Sequence, residues 1–380
     1  MLAIDLTSNN VIVAYRSGNI FDLWSFPWTA VFKERGNSIE LSIGNEDANT
    51  DEKTVVFYNL RDNFPRIDDK EAQLEIISGL LRHIVSILGL ERIHDNESTF
   101  VVLPYGYSSN VLEIIEEGFQ RNNLGLRLLN LINECVATII YFFEIHEQTY
   151  KLKLSASGEK FCFINAVSIP IRAFIVDAKE SDDERICIVQ DYIIFNPEDH
   201  QFLSSFLISE PKMIIFGNPE LVKPIGKVIS TSESKDRCRV MVAGAMLLGE
   251  GKFRSGKTYA VEGAFNFGVQ IDSEKFYQII PKELIMKNSS MPLEKSKAFI
   301  LENITHDVNL NLFCGFSDKL SSSIYLGTIA IPEDRFRGNR AEIVVSVKLD
   351  SMHSGSFSVI QLPQESDPIV KPFNVPGWLG

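Results

Sequence analysis

The sequence FCFINAVSIPIRAFIV, residues Phe161 to Val176, is a run of mostly apolar side chains without a single glycine. Its composition predicts a β-strand. Pro170 cannot donate to a strand ladder, so we expect a bulge or a bend at that point. A turn that grips phosphate brings backbone N–H groups close to the ligand, often at positive φ, and such positions favour glycine. The run therefore predicts a structural strand and not a phosphate-binding turn.

Strand-like runs on both sides of this stretch alternate with helical segments. In Glu71–Leu90 the apolar residues recur at helical spacing. Such alternation predicts an α/β domain over residues 1–250. The other segments are the strand-like runs Leu2–Tyr15, Thr99–Leu103 and Lys212–Phe216 and the helix-like run Val240–Leu248.

From Ala264 onward helical periodicity disappears, and strands separated by turn residues follow at short intervals. Apolar side chains alternate with others in Val308–Cys314 and in Ile343–Leu349, as in half-buried strands. The second part of the chain is therefore predicted to be an antiparallel β domain. The predicted bounds are a linker at 251–263, the β domain at 264–362 and a proline-rich tail at 363–380.

Composition excludes several classes of protein. The 380 residues are 45% hydrophobic, which suffices for two or more folded domains. The net charge of −13 argues against nucleic acid as a partner, because nucleic-acid binders carry basic patches. No apolar run reaches the length of about 20 residues that a membrane span needs. We therefore expect no membrane partner. The five cysteines are scattered, without the close pairs of metal sites, so we expect a cytoplasmic protein with reduced thiols.

Several motifs together carry a resemblance that runs nearly from end to end. They are AIDLTSNN at 3–10, the stretch from Val101 to Thr138 that contains an Asn-Glu pair near its end, VAGA at 242–245, KNSSMPLEKSKAF at 287–299, VNLNLFCG at 308–315 and AEIVVSVKLD at 341–350. With these segments the chain resembles the DnaK-type chaperones, the seventy-kilodalton heat-shock class. The resemblance implies an actin-like (ribonuclease H-like) ATPase-type domain with a shortened second lobe, followed by an antiparallel β-sandwich of the chaperone substrate-binding type.

The resemblance transfers only part of the ATPase chemistry. Phosphoryl transfer depends on groups that position phosphates and Mg²⁺. In the second phosphate loop of this chain, Val167, Ser168 and Ile169 stand where the family has glycines, and Arg172 replaces an aspartate. Arg172 leaves open the idea of a cation that fills the space of the phosphates. The positions that could retain weak nucleotide binding are Asp5, Asn10, Arg61, Glu134 and Gly217.

The resemblance also implies a peptide-binding groove in the β domain, which takes an extended apolar segment through main-chain hydrogen bonds and a side-chain pocket. The positions that would line it are Phe299, Leu301, Val308 and Leu310, all apolar. The alternative is that the same four side chains belong to the core of the sandwich.

One short motif points elsewhere. Residues 251–258, GKFRSGKT, fit the pattern of a Walker-type phosphate loop. That mechanism requires a strand before the loop and a helix after it. Here a helix-like run precedes the motif, so we interpret the match as coincidence.

The sequence thus predicts a pseudo-ATPase with no catalytic and no metal-binding residue, and with no cofactor. It predicts a chaperone-like protein that binds peptide segments or a dedicated protein partner without ATP-driven cycling. Two alternatives remain open. One is a chaperone that still binds ATP and Mg²⁺ weakly, and the other is a structural adaptor in a larger assembly.

Overall fold

The computed structural model describes residues 1–18, 20–35, 38–44, 54–89, 93, 96–122, 124–146, 154, 157–199, 211–222, 228–231, 239–251, 253, 255–270, 273–287, 291–320, 323–336, 339–362, 367–375 and 378.

Strands form most of the regular structure in these residues. Those of the first part are β1 (Leu2–Asp5), β2 (Asn10–Ser17), β3 (Ile20–Pro27), β4 (Ala30–Arg35), β5 (Ser38–Ile43), β6 (Thr54–Phe57), β7 (Glu97–Leu103), β8 (Leu126–Asn133), β9 (Glu159–Ala166), β10 (Ile171–Glu180), β11 (Glu184–Phe195), β12 (Lys212–Gly217), β13 (Val228–Thr231) and β14 (Thr258–Gly263). Those of the second part are β15 (Asn266–Gln270), β16 (Phe276–Ile280), β17 (Leu293–Glu302), β18 (Val308–Gly315), β19 (Ser323–Ile331), β20 (Arg340–Leu349), β21 (Ser354–Leu362) and β22 (Ile369–Asn374).

The helices are fewer and lie mainly in the first part. They are α1 (Leu60–Asn63), α2 (Lys70–Leu88), α3 (Ser109–Arg121), α4 (Glu134–Tyr141), α5 (Val240–Glu250) and α6 (Lys282–Lys287). Short 3₁₀ turns occupy Phe64–Arg66, Pro219–Leu221 and Glu333–Arg335, and α4 continues as a π-helical turn over Phe142–His146.

The first sheet has the order β3-β2-β1-β7-β8. β2 runs antiparallel to both of its neighbours, β1 and β3, whereas β1, β7 and β8 run parallel. Because side chains alternate along each strand, Leu2 and Ile4 pack with α2 and α3, whereas Ala3 packs with α4 and α5. The sheet is therefore covered by helices on both faces.

The second sheet has six strands, in the order β14-β11-β10-β9-β12-β13. Its five strands from β11 to β13 repeat the order of the first sheet. β10 runs antiparallel to β9 and β11, whereas β9, β12 and β13 run parallel. The predicted strand at 161–176 therefore becomes two strands, and residues 167–170 form the bend between them that Pro170 predicts. We call residues 1–146 the first half and residues 157–251 the second half.

Two helices pack closely where the halves meet. A Cβ on Gly244 of α5 would lie 2.0 Å from the carbonyl oxygen of Ala137 in α4, so only glycine permits this approach. A separate three-stranded sheet, β5-β4-β6, packs on α2, with Leu41 and Ile43 at Gly79.

The predicted linker is part of the second sheet. Thr258–Gly263 forms β14, which pairs in parallel with β11. Lys257 Nζ contacts Glu180 Oε1 at 2.5 Å, and Tyr259 Oη donates to Glu144 Oε1 at 2.5 Å. These contacts anchor the segment that joins the two parts of the chain.

The second part contains two four-stranded antiparallel sheets, β16-β15-β18-β19 and β17-β20-β21-β22. Their buried side chains, such as Leu312 from the first and Val345 from the second, belong to one apolar cluster. The sequence predicts a tail over residues 363–380, but the structure places Ile369–Asn374 in the second of these sheets as β22. A proline is tolerated there because β22 is an edge strand.

Four cysteines, Cys135, Cys162, Cys187 and Cys314, are free and buried, as the prediction of reduced thiols requires, and Cys238 lies outside the described residues. No described helix is both long and apolar enough to cross a membrane.

Candidate functional site

The residues predicted to retain nucleotide contacts lie around a cleft between the two halves. Asp5 ends β1 and is buried. Its Oδ1 accepts the N–H of Thr7 at 2.7 Å. Burial raises the pKa of Asp5 to about 6, because desolvation outweighs the hydrogen bonds from Thr7. The carboxyl therefore binds a proton at higher pH than an exposed aspartate does, although it is mainly ionised at pH 7.

Glu134 occupies the start of α4. Asn133 caps this helix through a hydrogen bond from Cys135 N–H at 2.9 Å. Glu134 Oε1 accepts from the backbone N–H of Tyr105 and from the hydroxyl of Tyr192, both at 2.8 Å. Its carboxylate is thus held by three elements, namely α4, the end of β7 and β11.

Arg172 of β10 enters the same space from the second half. Its side chain is 5% exposed, and Nη1 lies 3.4 Å from Glu134 Oε2. The same nitrogen donates to the carbonyl oxygen of Thr7 in the first half. Burial opposes the charged form, but the Glu134 carboxylate outweighs it and raises the pKa of Arg172, which stays cationic. Arg172 Nε has no hydrogen-bond partner among the described residues.

Arg61 crosses the cleft in the opposite direction. It lies in α1 of the first half and donates to both carboxylate oxygens of Asp62, at 2.8 and 2.6 Å. Its third contact, from Nη1 to Ser168 Oγ at 3.2 Å, reaches the turn between β9 and β10. Although burial works against it, Arg61 lowers the pKa of Asp62. Two arginines therefore bridge the halves at the place where the resemblance expects phosphates.

The remaining two candidates have different surroundings. Gly217 ends β12 at φ +101°, and a Cβ there would lie 2.4 Å from the carbonyl carbon of Ala166. Glycine is thus required because the ends of the neighbouring strands β12 and β9 approach each other closely. Asn10 begins β2 and is exposed, and its carbonyl accepts from Ser8 Oγ at 2.6 Å. The structure therefore places Asp5, Arg61 and Glu134 near Arg172, Gly217 beside Ala166 and Asn10 on the surface.

Little space remains in the cleft. The cavity bounded by Asp5, Thr7, Ser8, Asn165 and Val167 has a volume of about 10 Å³. A cavity of that size holds at most one water molecule. In the described geometry this cavity is too small for a triphosphate or a hydrated metal ion.

Sequence reasoning missed the tyrosines that surround this site. Tyr192 and Tyr105 bind Glu134, and the hydroxyl of Tyr107 donates to the carbonyl of Arg61 at 2.9 Å. Burial, with the nearby Glu134 carboxylate, raises the pKa of Tyr192 well above its usual value, so it stays a hydrogen-bond donor. No sequence pattern marks these residues, because aromatic residues are common in buried strands.

The same tyrosines connect the cleft to the β sheets. The Tyr105 ring lies 4.4 Å from that of Tyr192 and 5.2 Å from that of Phe316. Nearby, Lys282 Nζ donates to the carbonyls of Gln190 and Phe316 at 3.0 and 2.9 Å. The β part is therefore docked on the α/β part at the cleft.

The four predicted groove residues lie at one end of the β part. Phe299 and Leu301 belong to the end of β17, and Val308 and Leu310 to the start of β18 after the connecting loop. All four are partly buried and pack against the main apolar cluster. The Phe299 ring also packs edge-to-face on Tyr277 at 5.4 Å. Both the groove and the core interpretation remain compatible with this arrangement.

The Walker-like motif has the reverse structural context. The helix α5 precedes it and the strand β14 follows it. Lys252 and Arg254 of the motif lie outside the described residues. The described parts thus support the interpretation as coincidence.

Two comparisons with known proteins add no identification: no protein-family model matches the chain, and no curated protein matches it. Among the described residues, no group of three or more histidine, cysteine, aspartate or glutamate side chains is arranged to hold a metal ion.

Proposed function

We propose that this chain is a degenerate relative of the DnaK-type chaperones that binds peptide segments or a dedicated protein partner without ATP-driven cycling. On this proposal, residues 1–250 are an actin-like pair of lobes, and the β part is a substrate-binding-type sandwich. The repeated strand order of the two large sheets supports the first assignment. The two antiparallel sheets with a common apolar cluster support the second.

The observation that carries the proposal is the arginine in the cleft. Arg172 provides a permanent positive charge to Glu134 and a donor to Thr7, so the chain itself supplies a cation at this point. A nucleotide in this space would have to separate the buried Arg172–Glu134 pair, which has an energetic cost. This cost, with the small cavity, favours a protein that does not cycle with ATP.

Binding of a peptide is proposed for the end of the β part where Leu301 and Val308 flank a loop. An extended segment would add main-chain hydrogen bonds there, and Phe299 and Leu310 would contact its side chains. The proposed compartment is the cytoplasm, in keeping with the free, buried cysteines.

A second candidate function is a structural adaptor. The packing of Phe299 on Tyr277 and of all four groove residues on the apolar cluster favours it, because side chains used as core are not free to receive a ligand. On this reading the docked sheets act only as a surface within a larger assembly.

Calorimetric titration with Mg-ATP tests the first part of the proposal. We expect no heat of binding for the unmodified protein. Micromolar binding that Asp5→Ala abolishes would contradict the proposal and support the weakly ATP-binding chaperone instead.

A peptide array separates groove binding from the adaptor function. We expect bound peptides for the unmodified chain, loss of binding in Leu310→Asp, and no loss in the matched control Asn309→Asp, because Asn309 is exposed on the other face of the same strand. An array on which no peptide binds would favour the adaptor.

A further inference from the structure

A large groove separate from the cleft lies at the junction of the first sheet with the β part. Its volume is about 770 Å³, which is in the range of sites that bury a ligand of several hundred daltons. One wall is α3, with Leu112, Glu116 and Phe119. The floor is β8, and the opposite wall consists of Glu262 of β14 and residues near the end of the chain.

The floor of the groove is the open edge of the sheet. β8 is the last strand in the order and pairs with β7 on its other side. Six consecutive residues of β8, from Leu126 to Leu131, line the groove. Since successive side chains of a strand point to opposite faces, a cavity that touches all six lies along the strand edge and not on one face. An edge strand presents unpaired N–H and C=O groups, so the groove offers a row of main-chain hydrogen-bonding groups.

The edge does not suit a second copy of itself. The register between β7 and β8 shifts at Leu129, which pairs with no residue of β7 and is 44% exposed. Such a bulge twists an edge and hinders long flat pairing between identical strands. A short segment of another protein does not need a long flat edge, because it can pair on either side of the bulge.

Beside Glu262, the opposite wall contains aromatic and apolar side chains that are fixed in position. The ring of Trp378 stacks on that of His353 at 5.8 Å, and His353 Nε2 accepts the N–H of Gly263 at 3.2 Å. Val375 beside them is buried. Burial lowers the pKa of His353 to about 4, so its imidazole is neutral at neutral pH and Glu262 is the charged residue of this wall.

The charged side chains of the groove have an acidic excess. Glu116 and Glu262 lie on the two walls, and Arg127 lies on the floor, so two negative charges face one positive charge. The chain as a whole carries a net charge of −13. Coulomb attraction therefore favours a ligand with lysine or arginine side chains.

We propose that β8 is a docking site for an extended, basic segment of a partner protein, which adds as a strand to the first sheet between α3 and the wall of Trp378. Main-chain hydrogen bonds to residues 126–131 hold the segment, and Glu116 and Glu262 select its basic side chains. The site is independent of the proposed groove at Leu310 and does not require that function.

The first experiment uses a fluorescein-labelled heptapeptide of alternating valine and lysine, acetylated and amidated at its ends. Fluorescence anisotropy measures its affinity for the full chain. Two derivatives carry N-methyl groups on the valine amides or on the lysine amides. Because alternate amides of an added strand face β8, we expect one derivative to bind at least tenfold more weakly and the other to bind within about twofold of the parent. Equal affinity of all three peptides, or no binding at millimolar peptide, overturns the inference.

Charge-reversed variants locate the site. We expect Glu116→Lys to weaken binding at least fivefold, whereas the matched control Glu113→Lys, exposed on the same helix and not a groove residue, leaves it nearly unchanged. Leu310→Asp should have no effect. Loss of binding in Leu310→Asp with no loss in Glu116→Lys assigns the peptide to the β part, which overturns this inference and supports the proposed function.

Hydrogen exchange gives a readout that needs no variant. The peptide should slow exchange of amides within Leu126–Leu131 and leave those of Val308–Gly315 unchanged. Light scattering of the free chain tests whether a second copy of the chain occupies this edge instead. If the free chain is a dimer that protects the same amides, and the peptide dissociates this dimer, the edge belongs to a second copy. That result overturns the proposal of a partner protein.

Discussion

Replacement of Arg172 by methionine tests whether the arginine stabilises the cleft. Its side chain is 5% exposed, and that of Glu134 is 2% exposed. Methionine fills much of the same volume but leaves the Glu134 carboxylate without its cation. Coulomb's law at 3.4 Å, with an effective dielectric constant of about 20, gives roughly 5 kcal/mol for the pair. Removal of one partner of a buried pair costs about 3–5 kcal/mol. Because two donors to Glu134 remain, we expect the free energy of unfolding to fall by about 3 kcal/mol, the lower end of this range.

A double-mutant cycle separates the pair from other effects of the substitution. Glu134→Gln keeps an acceptor for Tyr105 and Tyr192 but leaves Arg172 unpaired, so it should also destabilise the protein. The double variant removes both charges, and its loss should be smaller than the sum of the single losses by about 2–3 kcal/mol. Replacement of a buried pair as a whole is often nearly neutral.

The assay is urea unfolding followed by circular dichroism, with comparison of the free energy of unfolding at constant m-value. Arg121→Met is the matched control, since Arg121 pairs with Glu71 and Glu117 on the surface and should matter little. A loss below about 1 kcal/mol in Arg172→Met, or a coupling energy of zero, would refute the reasoning, because either result means that solvent screens the pair.

Three further predictions concern single residues. Burial raises the pKa of Asp5 to about 6 from its usual 3.8, so its contribution to stability is present at acid pH and is lost as pH rises through 6. Asp5→Asn should therefore gain about 3 kcal/mol relative to the unmodified chain between pH 3.5 and pH 7 in urea titrations. Gly217→Ala should lower the free energy of unfolding by well over about 2 kcal/mol in the same assay, because its Cβ meets main-chain atoms. The control Gly251→Ala is also at positive φ but has nothing within 4 Å, so it should cost about 1 kcal/mol. Equal losses would contradict the role of close approach. Tyr192→Phe removes a donor to the carboxylate of Glu134 and should cost about 1.5–3 kcal/mol, and an unchanged unfolding midpoint would show that water replaces the hydroxyl.

Local signals predicted the helices well. The apolar spacing predicts a helix over Glu71–Leu90, and α2 spans Lys70–Leu88. Its start follows from Asp69, whose side chain accepts the N–H groups of Glu71 and Ala72, and its end from Gly89 at φ +82°. These determinants lie within a few residues of each other, so the sequence contains them directly.

The tail shows where local reasoning fails. Proline in the segment predicts an irregular tail, yet Pro372 lies in β22. An edge strand has one side without a partner, so a missing N–H costs nothing there. Whether a strand is central or at an edge depends on the neighbours that the fold provides, and no local pattern contains that information.

The cleft was predicted in part. Asp5, Arg61 and Glu134 were all named from sequence, and the position of Arg172 suggested a cation in place of phosphates. Its partner Thr7 lies 165 residues away along the chain. Which carbonyl and which carboxylate receive the guanidinium depends on how the two halves face each other, and therefore on packing.

By itself, the sequence determined the alternation of strands and helices, the change to an all-strand part after Ala264 and the lack of glycine in the turn at 167–170. These features depend on side-chain size, periodicity and backbone freedom, all of which are local. Only the tertiary structure decided that two arginines bridge the halves, that the linker and the tail are strands and that the edge of β8 lies in a groove. Each of these requires two distant segments to lie side by side, and the burial of a common apolar cluster brings them together.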